Sequence, residues 1–478
     1  MTVLWIILAI LAVLVTIVII RTIQFKPEAE APKNFEEVDF DGDRAVETLG
    51  ELIKCKTVSY YDDSLEDKAE FEKLIGMLPE LYPNVDKTCE FLRLPDRGLL
   101  FRWKGRSEGD PAVLMAHFDV VPVVEENWDK PAFDAIIEDD VMWGRGTLDT
   151  KVTFNGILSA ADNLIGQGFT PEHDIYFAFS GQEEINGPGA VNIVNWFQEH
   201  GIQPAFVVDE GGAVVEDVFP GVTGQCGLIG IAEKGMLNVV YSVESDGGHA
   251  SAPGPHTPVG VLSKACVDIE NHPFKMHMTE PVRQMFDVLG RRSTFVYRMI
   301  FANMWLFKGV LDSICKKNGG ELNALLRTTV AFTQMEGSNA PNVIPPSASM
   351  VSNLRLNPED SCDSALNYLR SVIGNDAVSV SDNIRFEPSR ISRTDCEEWE
   401  KVKTAVEGTW QGCLVSPYLM VQCSDSRHYG VISDKVYRFS AMALSAEERH
   451  MIHGNNERIP LPTIKKAVEF FIRVMRQC

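Results

Sequence analysis

His117-Phe118-Asp119, Gly144-Arg145-Gly146-Thr147-Leu148-Asp149, Glu183-Glu184, Asp209-Glu210-Gly211 and His453-Gly454-Asn455-Asn456-Glu457 follow one another along the chain. Two imidazoles and several carboxylates, each at the end of an apolar run, are what a two-zinc hydrolytic site needs. Zinc takes histidine nitrogen and carboxylate oxygen, and a catalytic site keeps one position for water. Each piece alone has a plainer reading. A single HxD or Glu-Glu pair is usually a solvated surface feature, Gly-Arg-Gly an ordinary turn, and Asp209 a helix cap. His450 rivals His453, because residues three apart share a helical face. Gly454-Asn455-Asn456 argues instead for a loop at His453. His173, His200, His272 and His277 lack such a context and read as structural or surface residues.

The elements that must position these groups are visible too. Ala112-Val113-Leu114-Met115-Ala116 leads into His117, the run from Asp174 to Ser180 into Glu183-Glu184, and Pro204-Ala205-Phe206-Val207-Val208 into Asp209. Continuous apolar runs of this length fit strands buried on both faces, as in a parallel sheet covered by helices. Ligands of such sheets gather at the carboxyl ends of the strands. Each candidate lies just past that end of its run. The expected class is α/β, with a mixed, mostly parallel sheet flanked by helices.

Eight segments carry a more specific signal: MAHFDVVPV (115–123), WGRGTLDTK (143–151), SGQEEING (180–187), VVDEGG (207–212), GGHASAP (247–253), NVIPP (342–346), SDSRHY (424–429) and IHGNNERI (452–459). In this order they resemble the zinc metallopeptidase family that contains aminoacylase, carboxypeptidase S and bacterial glutamate carboxypeptidase. The two last segments look most like the carboxypeptidase S and N-acyl-amino-acid hydrolase branch. The resemblance implies two Zn2+ per chain. Asp149 would bridge them, His117 and Asp209 would complete one, and Glu184 and His453 the other. Glu183 would be the general base, taking a proton from water and handing it to the leaving nitrogen. Asp119, two residues past His117, fits a group that orients the imidazole.

A chain of 478 residues exceeds one core of ~100–200 residues. Near Glu233-Lys234-Gly235 the pattern changes to alternation, over 236–243, 328–333 and 348–356. Period-two alternation suits an antiparallel sheet with one open face. The expected organisation is an anchor (1–21), a tether (22–37), a catalytic domain in two parts (38–233 and 358–478), and an inserted α+β lid (234–357). Residues 272–325, rich in Met, Phe and Leu, are expected to be a helical insertion serving core packing rather than a substrate surface.

By the same resemblance, His249 of the lid helps to hold the tetrahedral oxyanion, in many members from the other subunit of a homodimer formed through the lid. Such a donor contributes a few kcal/mol. Arg355, at the end of a lid strand, is the expected clamp for a substrate carboxylate, since guanidinium grips carboxylate with two prongs. Arg427 is the second candidate. The stretch Glu336-Gly337-Ser338-Asn339-Ala340-Pro341 departs from some members, which counts against transferring their substrates.

From Val3 to Ile20 the chain is apolar apart from Thr16. Eighteen residues just span a bilayer as a helix. A cleaved signal would show a basic start, a shorter apolar core and a small-residue cleavage site; none precedes Arg21. The expectation is a single-pass membrane anchor. Arg21, Lys26 and Lys33 after the span put the enzyme domain in the cytoplasm by the positive-inside rule. The carboxypeptidase S resemblance points to the other side, so orientation stays open. The ten cysteines are scattered without a CxxC pair and read as reduced thiols.

With 44 basic and 67 acidic residues the net charge is -23. That argues against nucleic acid as a partner and against adhesion to anionic lipid. No phosphate loop, dinucleotide fingerprint, Gly-x-Ser-x-Gly or repeat is present. A metal-dead binding protein would have lost a ligand or the base, and all six are present. The sequence therefore describes a zinc-dependent amidohydrolase acting beside a free carboxylate. The expected type is a carboxypeptidase or dipeptidase acting on short peptides, with hydrolysis of N-acyl amino acids as the alternative.

Overall fold

The computed structural model describes residues 1–27, 33–216, 219 and 221–478; the part of the expected tether over 28–32 lies outside them. The catalytic domain is built on an eight-stranded sheet in the order Glu90–Leu94, Gly98–Trp103, Ile175–Ser180, Ala112–His117, Phe206–Glu216, Val436–Leu444, Gln225–Glu233, Leu414–Met420. Ala112–His117 runs parallel to both its neighbours, and Leu414–Met420 runs parallel to Gln225–Glu233. The outer pairings at Gly98–Trp103 are antiparallel. This is the mixed, mostly parallel α/β architecture expected.

The three apolar runs form the central strands because both faces are covered. Leu114, Phe177 and Val208 join one core, against the helices Lys151–Gly166 and Leu461–Met475. Val113, Tyr176 and Val207 join the other, against Gly189–Glu199. Successive strand residues point to opposite faces, so a strand buried on both has no polar position to spare. Gly156 lets two helices approach closely: a Cβ there would stand 3.2 Å from the Phe471 ring.

The lid is a four-stranded antiparallel sheet, Thr329–Glu336, Ser347–Leu356, Gly235–Glu244 and Ser379–Phe386, in that order. Helices Pro258–Asn271 and Cys362–Ile373 cover one face through Leu262, Ala265, Leu366 and Leu369. The lid elements therefore continue past the expected boundary at 357: helix Cys362–Ile373 packs on this sheet and strand Ser379–Phe386 pairs within it. A weaker apolar pattern in 379–386, which alternates only between exposed and half-buried positions, hides that edge strand from the sequence.

Residues 272–325 are helical as expected, in Glu280–Arg292, Phe295–Ala302, Met304–Asn318 and the start of Gly320–Leu326. They divide in function. Val282, Met285, Phe286 and Leu289 pack into the catalytic core rather than the lid core. The two middle helices leave much of their apolar surface uncovered, contrary to the expected core packing.

Thr2–Gln24 is one continuous helix, long and apolar enough to cross a membrane. It runs three residues into the segment expected to be tether.

Candidate active site

The carboxyl ends of the central strands deliver a cluster of acids and imidazoles. His117 closes its strand and is almost fully buried. Its Nδ1 lies 3.0 Å from the Asp119 carbonyl oxygen. A donated Nδ1–H there leaves the Nε2 lone pair facing the cluster. Nε2 is 3.0 Å from Asp149 Oδ1 and 3.4 Å from Glu210 Oε1. Asp149 reaches the other way with Oδ2, 3.0 Å from His453 Nε2, and His453 lies 3.1 Å from Glu184 Oε2. One carboxylate thus stands between two imidazoles, a bridging geometry.

Asp119 does more than flank His117. Its two oxygens accept the Glu183 and Glu184 backbone N–H groups at 3.1 and 3.2 Å, and Oδ1 lies 3.4 Å from His117 Nδ1. A single buried carboxylate therefore orients the imidazole and the acidic turn together.

Among the described residues, two sets offer ligand atoms mutually within 4.8 Å: His117-Asp149-Glu184 and His117-Glu183-Glu210. Asp209, expected beside His117, belongs to neither. Its Oδ2 accepts the Ser426 N–H at 2.9 Å. The strand register shifts between Asp209 and Gly212, and the Glu210 carboxylate is the one that stands 3.4 Å from His117 Nε2. The local backbone is tightly held: a Cβ on Gly212 would sit 1.9 Å from the Leu228 carbonyl oxygen, which only glycine avoids.

The charges are concentrated enough to need a counter-ion. Burial first, then Asp149, lifts the Glu184 carboxyl to about 7. Burial and Asp425 lift Asp209 to about 6, and burial raises Glu210 to about 7. Burial also raises Glu183 well above the usual range, against the pull of His117. Asp149 runs the other way, held low by His117 and His453 despite its burial. Hydrogen bonds to Asp149 and Glu184 push His453 to about 11. Glu184 Oε1 and Asp425 Oδ1 are buried without a hydrogen-bond partner among the described residues. Buried carboxylates this crowded are paired, protonated or bound to metal. The nitrogen and oxygen donors present, with an orphan oxygen on Glu184, fit a pair of divalent ions.

A cavity of ≈ 220 Å³ opens over the cluster. Asp149, Glu183, Glu210 and His453 line it together with the apolar side chains of Met420, Met442, Leu444 and Ile452 and the polar ones of Gln422 and Ser440. Cys423 also lines it, and Arg355 Nη1 lies 3.2 Å from that thiol. Arg427 donates to Asn186 Oδ1 at 3.0 Å and lies over the Phe386 ring, while its Nη1 is buried without a partner among the described residues. His249 is elsewhere: it is exposed on the short strand Gly248–His249, and its Nδ1 accepts the Ser251 N–H at 3.1 Å. Among the described residues, no member of the acidic cluster touches it.

Two residues were hidden from sequence reasoning. Glu210 stood in the quoted VVDEGG segment, but no spacing rule separates it from Asp209. Glu457, inside IHGNNERI, is fully buried against Arg145; a charged residue in a polar loop carries no sign of that.

This fold and site define a metal-dependent hydrolase. The chain matches the family model "Peptidase family M20/M25/M40" over residues 113–477 and belongs to that family. It is 32% identical over 473 residues to "Probable carboxypeptidase S-like 2" of Dictyostelium discoideum, covering 96% of this chain and 91% of that one. It is equally 32% identical over 479 residues to "N-fatty-acyl-amino acid synthase/hydrolase PM20D1" of Xenopus tropicalis, covering 98% and 93%. The fold is shared with an M20 family metallo-carboxypeptidase, Sso-CP2, of Sulfolobus solfataricus: TM-score 0.65, 17% identity, 91% and 98% coverage. Human carnosine dipeptidase 1 matches with TM-score 0.62 and 14% identity, covering 91% and 96%.

Proposed function

We propose that this protein is a membrane-anchored, two-zinc hydrolase of N-acyl amino acids, cleaving the amide bond next to the free carboxylate. The observation that carries the reading is the mixed lining of the cavity. Beside the acids and His453 it presents Leu148, Met420, Met442, Leu444 and Ile452, with Gln422 and Ser440 among them, and these apolar side chains suit an acyl chain. Asp149 would lie between two ions, with His117 and Glu210 on one and Glu184 and His453 on the other. Glu210 is taken in place of Asp209 on the support of its 3.4 Å approach to His117 Nε2 and its place in the His117-Glu183-Glu210 set. When bound, the zinc ions polarise the scissile carbonyl and lower the pKa of water.

Glu183, buried and proton-avid, accepts the water proton and returns it to the leaving nitrogen. Asp119 keeps Glu183 and Glu184 in register through their backbone N–H groups. Arg427, whose Nη1 is buried without a partner among the described residues, is taken as the carboxylate clamp; Arg355, beside Cys423, is the second. His249, exposed on the lid, is available to a second chain in a homodimer formed through that lid. Thr2–Gln24 is the anchor.

C-terminal trimming of short peptides is the second reading. It is favoured by the carboxypeptidase S-like relative and uses the same arginines. Hydrolysis of a mixed panel of dipeptides and N-fatty-acyl amino acids, followed by mass spectrometry with zinc or a chelator, separates the two. Zinc-dependent release from the acylated set is the expected result. Release from dipeptides alone supports the peptide reading, and no release from a zinc-loaded chain on either set sinks both.

A further inference from the structure

We propose that the helices Phe295–Ala302 and Met304–Asn318 form a second membrane contact, lying in the lipid interface beside the exit of the anchor helix. The inference rests on the anchoring reading of Thr2–Gln24 and is independent of the hydrolytic one.

The geometry starts at the last turns of the anchor. Most of that helix is exposed, but Val18 and Thr22 are buried. Asn303 Nδ2 lies 3.2 Å from the Val18 carbonyl oxygen and 3.3 Å from Thr22 Oγ1, and Arg21 Nε donates to the Ala302 carbonyl at 3.2 Å. The Arg291 guanidinium stands 4.6 Å over the Phe25 ring. Among the described residues the body of the protein thus grips the anchor toward its C-terminal end. A helix of 23 residues is about 35 Å long at ~1.5 Å per residue, close to the ~30 Å hydrocarbon core. Its last turn, which holds Arg21 and Thr22, and what packs against it therefore lie near the level of the bilayer interface.

What packs there is apolar on its outer side. Phe295, Val296, Tyr297, Trp305, Leu306, Val310 and Ile314 are between 40% and 61% exposed. Leu306, Val310 and Ile314, four residues apart, form one stripe. Phe301, Ala302 and Cys315 are buried, so these helices are already seated on the protein and present the apolar stripe outward. Trp and Tyr next to aliphatic side chains are the residues that settle at the headgroup boundary. An open groove of ≈ 380 Å³ adjoins them, lined by Phe25 of the anchor's end, by Phe286, Phe301, Met304 and Trp305, and at its polar edge by Arg283, Asp287 and Lys308. Lipid is the occupant because the face is continuous with a helix whose own surface requires it. The net charge of -23 makes zwitterionic lipid the fitting headgroup, since the contact is carried by apolar area.

The test uses the full chain in phosphatidylcholine vesicles, with intact mass confirming that residues 2–24 are retained. Flotation reads anchoring; quenching of tryptophan by brominated phosphatidylcholine reads the second contact. The expected result is a quenched component in the unaltered chain that Trp305→Phe lacks. Leu306→Asp/Val310→Asp, folded by circular dichroism and still floating, loses the same component. A chain that floats while Trp305→Phe and the unaltered chain are quenched alike overturns the second contact, including where cross-linking shows another copy over the stripe. A chain that does not float overturns the anchor, and this inference with it.

Discussion

Arg145 Nη1 lies 2.5 Å from Glu457 Oε2, with both side chains buried. The same carboxylate accepts the backbone N–H groups of Gly146, Leu148 and Asp149 at 3.1, 2.6 and 3.1 Å. Arg145 also donates to the Gly454 carbonyl at 2.7 Å. One ion pair therefore ties the loop that carries Asp149 to the loop that carries His453, more than 300 residues away. Neither side chain is among the candidate metal-holding groups; both set where those groups stand.

Glu457→Ala leaves Arg145 buried without its partner. Breaking a buried pair costs about 3–5 kcal/mol, and loss of an orienting group typically weakens metal affinity about 10–100-fold. Zinc titration of the folded variant checks this. Affinity equal to that of the unaltered chain would show that the two loops hold their own shape.

Glu183→Gln keeps the shape and burial of the side chain and removes the proton acceptor. A fall in kcat by about 10²–10⁴ is expected, with zinc content unchanged by elemental analysis. Undiminished turnover would remove Glu183 from the mechanism. Loss of zinc in this variant would instead make it a ligand, as its place in the His117-Glu183-Glu210 set allows.

Under the proposed function zinc binds the folded chain and should stabilise it by mass action, by about 4 kcal/mol at ~1,000 times its dissociation constant. A chelator should lower the Tm and added zinc restore it. Glu210→Ala should blunt that response, whereas Asp209→Asn should leave more of it. The reverse order, read by differential scanning calorimetry, would return Asp209 to the ligand set.

His428, adjacent to Arg427, is lowered to about 4 from the ordinary imidazole value of 6.5, by burial first and by Arg427 second. Between those values the unfolded chain takes up a proton that the folded chain refuses. Stability must therefore fall as pH drops from about 6.5 towards 4. His428→Gln removes this contribution and should flatten the pH dependence of denaturant midpoints across that window. Parallel curves for the two proteins would contradict it.

The sequence by itself determined the central strands, the order of the site segments and the family. Apolar runs ending in His117, Glu183-Glu184 and Asp209-Glu210 are local signals, and strands buried on both faces leave no ambiguity in pattern. Alternation likewise announced three lid strands. Tertiary structure decided what depends on direction and on distant partners. Whether Asp209 or Glu210 faces His117 follows from the twist and pairing of one strand, with Gly212 pressed against Leu228. The lid's continuation through Ser379–Phe386 follows from edge pairing to Gly235–Glu244, where half-exposed side chains blur the alternation. The division of 272–325 into a core helix and two outward-facing ones reflects which surfaces other elements reach to cover. Glu457 became a structural centre only because folding buried it beside Arg145, and burial of a charge is a property of its surroundings rather than of its neighbours in the chain.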